Sequence, residues 1–285
     1  MKKIAFLFLI LDNPNFPNIW DEYFINNNDK FTLYIHPKFP NKITWHKENV
    51  ITNLQPTAWG FITRAYIELY KSALLNPDNF KFITISESCL PITSFNKFYD
   101  TVINDPNSWI KFMNIKSYDL SVRIHTQKTL PKPPHFIKHY ARSCLNRSHV
   151  EQLINSDQLG HMEFFHRMHV GDEFFLSLLH PLSNVSDFAV TTDDWNWTHQ
   201  QQKIIKKKIR NLYEIQEKTS IDKSSDINIL KNTFNQISGS PKTIHDTKPD
   251  LQSIINSTSF FYRKFASDSN INNFWHYIIS KHIIS

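Results

Sequence analysis

Glycine is scarce in this sequence, with only 4 glycines among 285 residues. The phosphate-binding loops of P-loop and dinucleotide-binding enzymes need closely spaced glycines, and neither GxGxxG nor GxxxxGK[ST] occurs. Cysteine is equally rare: Cys89 and Cys144 are too few for a disulfide framework and do not form a CxxC pair. These shortages exclude the common glycine-rich nucleotide loops and favour a reducing compartment.

Long apolar runs and clustered metal ligands are also missing. The apolar run Ile4–Leu11 follows two lysines, as in a signal peptide, but no small-residue cleavage site comes after it. It is too short for a membrane-spanning helix, which needs about 20 residues. We therefore predict a buried strand there, no transmembrane segment, and a cytoplasmic protein or one peripheral to membranes. Because the histidines lack HExxH spacing, we also predict no metal site.

The residues that are abundant indicate a folded, basic protein. Hydrophobic residues make up 40% of the chain and aromatic residues 14%, which is enough for a sizeable core. The net charge of +6 would suit nucleic acid, an anionic membrane or a phosphorylated small molecule. The densest basic run, Lys203–Arg210, is interpreted first as the solvated face of a helix, so no nucleic acid partner is expected.

Strand and helix patterns alternate through the first hundred residues. Continuous apolar runs predict strands, and apolar positions at helical spacing predict helices between them. The predicted strands are 4–11, 31–38 and 80–86, with a further short one at 48–52, and the predicted helices are 19–25, 57–77 and 94–104. This order predicts an α/β fold with a Rossmann-like, mostly parallel sheet flanked by helices, with ligands at the carboxyl ends of the strands. We expect a single domain over residues 1–285, with a variable polar insertion at about 205–238.

The stretch "HVGDEFFLSLLHP" places two carboxylates, Asp172 and Glu173, before an apolar helical pattern. Acidic residues are favoured in the first turn of a helix, and this explanation is sufficient for Asp172. Glu173 could instead be a general base, with its pKa raised by neighbouring aromatic rings. From the stretch alone both explanations stay open.

Several segments, in order along the chain, resemble the core-2/I-branching β-1,6-N-acetylglucosaminyltransferase family and its plant relatives. The matching segments are "KIAFLFLILDNPNFPNIWDEYF", "YIHPK", "AWGFITRAYIELYKSAL", "FKFITISESCLPI", "ARSCLNRSHVEQL", "HVGDEFFLSLL", "TTDDWNW", "SPKTI" and "FFYRKFA". The resemblance implies a GT-A type glycosyltransferase that inverts stereochemistry, takes a UDP-sugar and uses no metal. The sequence contains no DxD motif, the usual metal-binding element of such folds.

The resemblance also assigns roles to residues. Glu173 is then the base that deprotonates an acceptor hydroxyl, which is otherwise a poor nucleophile. Two basic residues that would bind the leaving diphosphate fall on Lys242 and Lys264. The family pattern can carry arginine at 242, and lysine there loses bidentate contact. Arg263 is expected to point away on its strand and to serve packing or solubility.

Other candidates for ligand contacts lie near the ends of predicted strands. Tyr34 and His36 are expected to bind the nucleotide. Glu87 is expected to contact sugar hydroxyls, or else to cap the following helix. Trp195 and Trp197 lie on one side of a predicted extended segment, where the resemblance implies stacking on the acceptor; core burial is the other explanation.

Taken together, the resemblance implies transfer of N-acetylglucosamine from a UDP-sugar to a hydroxyl of a glycan or glycoprotein acceptor, with no cofactor beyond the donor. The alternatives are a UDP-xylose or UDP-glucuronate transferase of the same family, or a non-catalytic module that binds glycans or nucleic acid. Family members are usually held in the Golgi membrane.

Overall fold

The structure is a computed structural model of the 285-residue chain. The residues it describes are 1–112, 137–168, 170–179, 184–193, 195–219, 222–237 and 241–284.

Three long parallel strands form the centre of the main sheet. They are β1 (Lys3–Ile10), β2 (Phe31–Pro37) and β3 (Asn79–Ser86), and β1 pairs in parallel with both of the others. Seven of the eight residues of β1 are buried, because helices cover both faces. The carboxyl ends of these strands therefore meet at one edge of the sheet.

The main sheet continues beyond β3 through three short strands. These are β5 (Ser108–Trp109), β6 (Cys144–Asn146) and β7 (Val185–Ser186), which give the order β2-β1-β3-β6-β5-β7. Strand β6 runs antiparallel to β3 and β5, while β5 and β7 are parallel. The predicted α/β fold with a mostly parallel sheet flanked by helices is confirmed.

A second, three-stranded sheet packs beside the first. Strand β9 (Phe261–Arg263) lies between β4 (Leu90–Pro91), to which it is antiparallel, and β8 (Thr191–Asp193), to which it is parallel. Ring contacts join the two sheets, since Phe6 and Phe261 have their centroids 6.5 Å apart. This packing brings β8 and β9 to the region that follows β3.

The helices divide the core into two clusters on opposite faces of the main sheet. Alternate residues of β1 enter each cluster: Phe6 and Phe8 pack in one, Ala5 and Leu7 in the other. The described helices are α1 (Pro17–Phe24), α2 (Thr63–Leu74), α3 (Phe95–Asn104), α4 (Arg147–Gln158), α5 (Glu163–Arg167), α6 (Trp195–Thr219), α7 (Ser224–Ile237), α8 (Leu251–Ile255) and α9 (Trp275–Ile284). None of these helices, within the described residues, is long and apolar enough to cross a membrane.

Two local predictions were wrong. The predicted strand at 48–52 is a 3-10 turn, Lys47–Asn49, followed by an isolated bridge between Val50 and Ile35. The helix predicted to open at Asp172 consists instead of two 3-10 segments, Gly171–Glu173 and Phe175–Leu179. Apolar spacing of three and four residues fits both kinds of helix, so periodicity could not separate them.

The predicted polar insertion is largely helical where the structure describes it. Helices α6 and α7 cover most of 205–238 and pack against each other, with Ile227 buried. All the cations of the run Lys203–Arg210 are exposed on α6, as the interpretation as a solvated helical face predicted.

Candidate active site

Asn15 hydrogen-bonds to the loops that follow strands β3 and β9. Its backbone N–H donates to the carbonyl of Glu87, just after β3, at 2.9 Å. Its side-chain amide donates to the carbonyl of Phe265, just after β9, at 2.7 Å. Residues that follow β1, β3 and β9 therefore share one end of the molecule, where ligands of open α/β sheets bind.

The turn that carries the two carboxylates is fixed by close backbone packing. The Val170 N–H donates to the carbonyl of Gly60 at 2.6 Å. A Cβ at Gly171 would lie 2.0 Å from the carbonyl oxygen of Phe165, so only glycine fits. The turn is held by contacts that leave no room to shift.

The two carboxylates differ in a way that reverses the expectation from sequence. Asp172 is buried, and its Oδ1 has no hydrogen-bond partner among the described residues. Burial, and then the charge of Glu173, raises the pKa of Asp172 to about 7. The Glu173 side chain is 28% exposed and forms an ion pair. The desolvation predicted for Glu173 therefore falls on Asp172, and helix capping does not account for that residue.

The partner of Glu173 is Lys138, a residue that sequence analysis did not single out. Its Nζ lies 2.9 Å from Oε2 of Glu173. The adjacent His139 donates its backbone N–H to the carbonyl of Glu173 at 2.8 Å. Burial lowers the pKa of the His139 imidazole to about 3, so this ring is neutral and serves as a structural hydrogen-bonding group.

Arg142 provides a partly buried positive charge near the carboxylate turn. It donates from Nη1 to the Tyr66 hydroxyl at 2.7 Å, and its charge acts on both Tyr66 and Asp172. Its Nε is buried and has no hydrogen-bond partner within the described part of the chain. Burial acts to lower the pKa of Arg142, but Tyr66, then Cys89, and then the Asp193 and Glu87 carboxylates together raise it by more.

Arg263 and Lys264 add two further cations at the end of the molecule where the residues after β1, β3 and β9 meet. Arg263 pairs with Asp193, with 3.3 Å between Nη1 and Oδ1, and its side chain is 16% exposed. The ion pair gives Arg263 a structural role between β8 and β9, which agrees with the expected role in packing. Burial, and then the charge of Arg263, lowers the pKa of Lys264, while the Glu87 carboxylate acts to raise it. Lys264 and Glu87, both predicted as site residues, thus lie close together.

Lys242, the other predicted diphosphate ligand, is engaged elsewhere. It forms an ion pair and hydrogen bond with Asp250, and both side chains are largely buried. Ile244 follows two residues later and pairs with the segment that holds Lys264, since its N–H donates to the Lys264 carbonyl at 2.7 Å. The two predicted lysines are therefore on neighbouring backbones, but Lys242 is neutralised by Asp250 in this structure.

Tyr34 lies in the middle of β2 and its hydroxyl points toward the amino end of β3, whereas His36 lies near the carboxyl end of β2. The Tyr34 hydroxyl accepts a hydrogen bond from the Asn79 side chain at 3.0 Å. The His36 ring is fully buried and accepts the backbone N–H of Gln55 at 2.9 Å. Burial lowers the pKa of His36. These contacts give both residues structural roles, and their contact with a nucleotide stays a prediction.

Trp195 and Trp197 do not lie on extended backbone. They open helix α6, in which positions two residues apart are separated by about 200° around the axis. The expectation that both rings share one side of an extended segment is therefore wrong. Their side chains lie outside the described part of the structure, so contact with an acceptor stays a prediction.

The functional candidates missed from sequence are Lys138, Arg142 and Asp193. Each acts through a partner distant in the chain, and no local motif marks such a residue. In the described residues, no group of three or more His, Cys, Asp or Glu side chains is arranged to hold a metal ion. Metal independence itself stays a prediction.

This arrangement defines a class of protein: an α/β protein with a paired carboxylate and several cations near the loops that follow the strands of its sheets. The profile of the Core-2/I-Branching enzyme family matches residues 4–219. The chain belongs to this family.

A curated relative is glycosyltransferase BC10 of Oryza sativa subsp. japonica. It is 23% identical over 168 residues, which cover 55% of this chain and 41% of the rice protein. The chain thus matches less than half the length of that relative.

Comparison with solved structures gives remote likenesses. Galactosyltransferase LgtC, solved in complex with donor and acceptor sugar analogs, aligns with a TM-score of 0.32 at 11% identity, covering 64% of this chain and 72% of LgtC. A197 from STIV aligns with a TM-score of 0.27 at 11% identity, covering 53% of this chain and 68% of A197. Similarity this low carries no functional argument.

Proposed function

We propose that this chain is a metal-independent, inverting glycosyltransferase of the GT-A type. It transfers N-acetylglucosamine from UDP-N-acetylglucosamine to a hydroxyl of a glycan or glycoprotein acceptor. Family membership supports glycosyl transfer. The observation that carries the mechanism is the partly exposed carboxylate of Glu173, which pairs with Lys138 and follows directly after Asp172, a residue on which the charge of Arg142 acts.

The proposed reaction is a single displacement. The acceptor hydroxyl oxygen attacks the anomeric carbon of the donor, and Glu173 takes the hydroxyl proton. The bond from the anomeric carbon to the diphosphate oxygen breaks, and UDP leaves with the electron pair. One carboxylate on the acceptor side is sufficient, because no covalent sugar–enzyme intermediate forms.

The leaving diphosphate carries negative charge that must be stabilised. Lys264 is the proposed principal ligand, with Arg263 and Arg142 adding positive charge nearby. Lys242 would join them only by exchanging its contact with Asp250 for one with the diphosphate. These preorganised cations then supply the positive charge on the leaving diphosphate that a bound metal ion supplies in other transferases.

The test of the base is Glu173→Gln, with Glu163→Gln as the matched control. Glu163 is also ion-paired, to Arg64 and Arg167, on the exposed side of α5. Transfer and UDP-sugar hydrolysis, followed by UDP release, should fall at least about 100-fold in Glu173→Gln, which is the usual contribution of a general base. Full activity in Glu173→Gln would reject the assignment, and loss of activity with EDTA would reject metal independence.

The donor sugar is tested by thermal shift with UDP-N-acetylglucosamine, UDP-xylose and UDP-glucuronate. A ligand at 100 times its Kd stabilises the fold by about 2.7 kcal/mol. At one common concentration, a UDP-sugar that binds is therefore clearly distinguished from one that does not. A larger shift with UDP-xylose or UDP-glucuronate would replace the proposed donor. If no UDP compound stabilised the protein, the non-catalytic binding module would be favoured.

A further inference from the structure

Asp172 and Glu173 are adjacent carboxylates, and their like charges disfavour simultaneous ionisation. Their surroundings differ sharply. Asp172 is 7% exposed and its Oδ1 lacks a hydrogen-bond partner among the residues described, whereas the Glu173 side chain is 28% exposed. Burial favours the protonated form of Asp172, and the more exposed Glu173 is the carboxylate that a substrate can reach.

Among the described residues, Lys138 forms an ion pair with Glu173, with its Nζ 2.9 Å from Oε2 of Glu173. The Lys138 side chain is 13% exposed, so solvent screens the pair less than it would a surface pair. The ion pair therefore holds the Glu173 carboxylate more firmly than a surface pair would.

The backbone on both sides of Lys138 is hydrogen-bonded to residues 173–177, the segment that begins with Glu173. Ile137 donates its N–H to the Ser177 hydroxyl at 3.0 Å. His139 donates its N–H to the Glu173 carbonyl at 2.8 Å, and its Nε2 accepts the N–H of Leu176 at 3.0 Å. Lys138 therefore approaches Glu173 from a backbone that cannot slide along the turn.

We propose that Lys138 is a positioning residue that orients the Glu173 carboxylate toward the acceptor hydroxyl, through the ion pair and the hydrogen-bonded backbone on both sides of Lys138. The catalytic consequence rests on the proposed function of Glu173 as the base.

The groups around Asp172 do not make it a second base. Burial and the charge of Glu173 raise the pKa of Asp172, while Arg142 and, more weakly, Lys138 act to lower it. The Tyr66 hydroxyl also faces this group and is neutral, since burial raises its pKa to about 12. Glu173 is therefore the member of the pair that the ion pair with Lys138 can orient for catalysis.

The experiment compares the steady-state kinetics of Lys138→Gln and Lys138→Arg with those of the wild-type chain. In Lys138→Gln the kcat of transfer should fall at least about tenfold with an unchanged KM for the donor, because the base is no longer held in place. Lys138→Arg keeps the ion pair and should restore the wild-type kcat. Lys111→Gln is the control, since Lys111 pairs with the exposed Asp187.

The double variant of Lys138→Gln and Glu173→Gln gives a second readout. If Lys138 acts through Glu173, the double variant should be no less active than Glu173→Gln alone. Wild-type kcat in a folded Lys138→Gln would overturn the proposal. If Lys138→Gln does not fold, a Lys138→Arg variant with wild-type kcat supports it, and a lowered kcat in a folded Lys138→Arg overturns it. Full activity of Glu173→Gln would reject the proposed base, whereas wild-type kcat in Lys138→Gln beside an inactive Glu173→Gln would reject only the role of Lys138.

Discussion

Arg263 and Asp193 form an ion pair across neighbouring parallel strands, with 3.3 Å between Nη1 of Arg263 and Oδ1 of Asp193. Their side chains are 16% and 10% exposed, so the pair is mostly removed from solvent. The pair joins β8 to β9, and Lys264 follows directly after it. The ion pair therefore sets the position of the backbone that presents the proposed diphosphate ligand.

Asp193→Asn should lower the free energy of unfolding by about 3 kcal/mol, because it leaves the Arg263 guanidinium buried without an opposite charge. Urea denaturation monitored by tryptophan fluorescence measures this. Asp187→Asn is the control, since Asp187 is exposed and its pair with Lys111 should contribute about 1 kcal/mol or less. Equal effects of the two substitutions would contradict the prediction.

Lys264→Met should weaken UDP binding at least about tenfold, which corresponds to loss of one charge-assisted contact of about 1.4 kcal/mol. The unliganded variant should be no less stable than the wild type, because burial and the Arg263 charge disfavour the protonated lysine. Isothermal titration calorimetry gives the Kd, and thermal unfolding gives the stability. Lys248→Met is the control, since Lys248 is exposed. Unchanged UDP affinity in Lys264→Met would remove this residue from the site.

The central sheet could be predicted from sequence because its signals are local. Apolar runs such as Ile4–Leu11 and 80–86 are long, uninterrupted and bounded by polar loops, so strand identity does not depend on distant partners. The observed strands are Lys3–Ile10 and Asn79–Ser86, so no end of either strand differs from its predicted position by more than one residue. The parallel arrangement followed from the helices between the strands.

The arrangement of the site could not be predicted in the same way. The partner of Glu173 is Lys138, 35 positions earlier, and the partner of Arg263 is Asp193, 70 positions earlier. Such pairs depend on how the sheets pack. The burial of Asp172 instead of Glu173 followed from two 3-10 segments replacing one α-helix, which changes the direction of each successive side chain.

Gly171→Ala should destabilise the fold by about 3 kcal/mol, because its Cβ would overlap the Phe165 carbonyl oxygen at 2.0 Å and neither backbone can retreat easily. Gly160→Ala is the matched control. Gly160 has a φ of +79° but no atom within 4 Å of the added Cβ, so only the left-handed backbone cost of about 1 kcal/mol applies. Urea denaturation of both variants should show the larger loss at 171; a larger loss at 160 would contradict the described turn.

Asp172→Asn should stabilise the protein in a way that depends on pH. The pKa of Asp172 is raised from 3.8 to about 7 in the folded chain, so the folded state holds this proton more tightly than the unfolded state. The stabilising contribution of the protonated carboxyl is fully present below about pH 4, and it is lost as the pH rises to about 7. An asparagine cannot ionise, so its advantage over the wild type should grow across that range and level off above it.

The measurement is urea denaturation of the wild type and Asp172→Asn at half-unit intervals from pH 4 to pH 8.5. Asp246→Asn is the control with the opposite sign, because hydrogen bonds from the Lys248 backbone and the Asn270 side chain lower the pKa of the exposed Asp246. A carboxylate whose pKa is lowered in the folded state contributes to the free energy of unfolding at every pH above its unfolded-state pKa. This contribution is lost only as the pH falls through the folded-state pKa. The difference between Asp246→Asn and the wild type should therefore stay constant from pH 5 to pH 8.5, where both states of Asp246 are ionised. A constant difference for Asp172→Asn over the same range would show that Asp172 is already ionised at pH 5, and would contradict both its burial without a partner and the assignment of the proton to this residue.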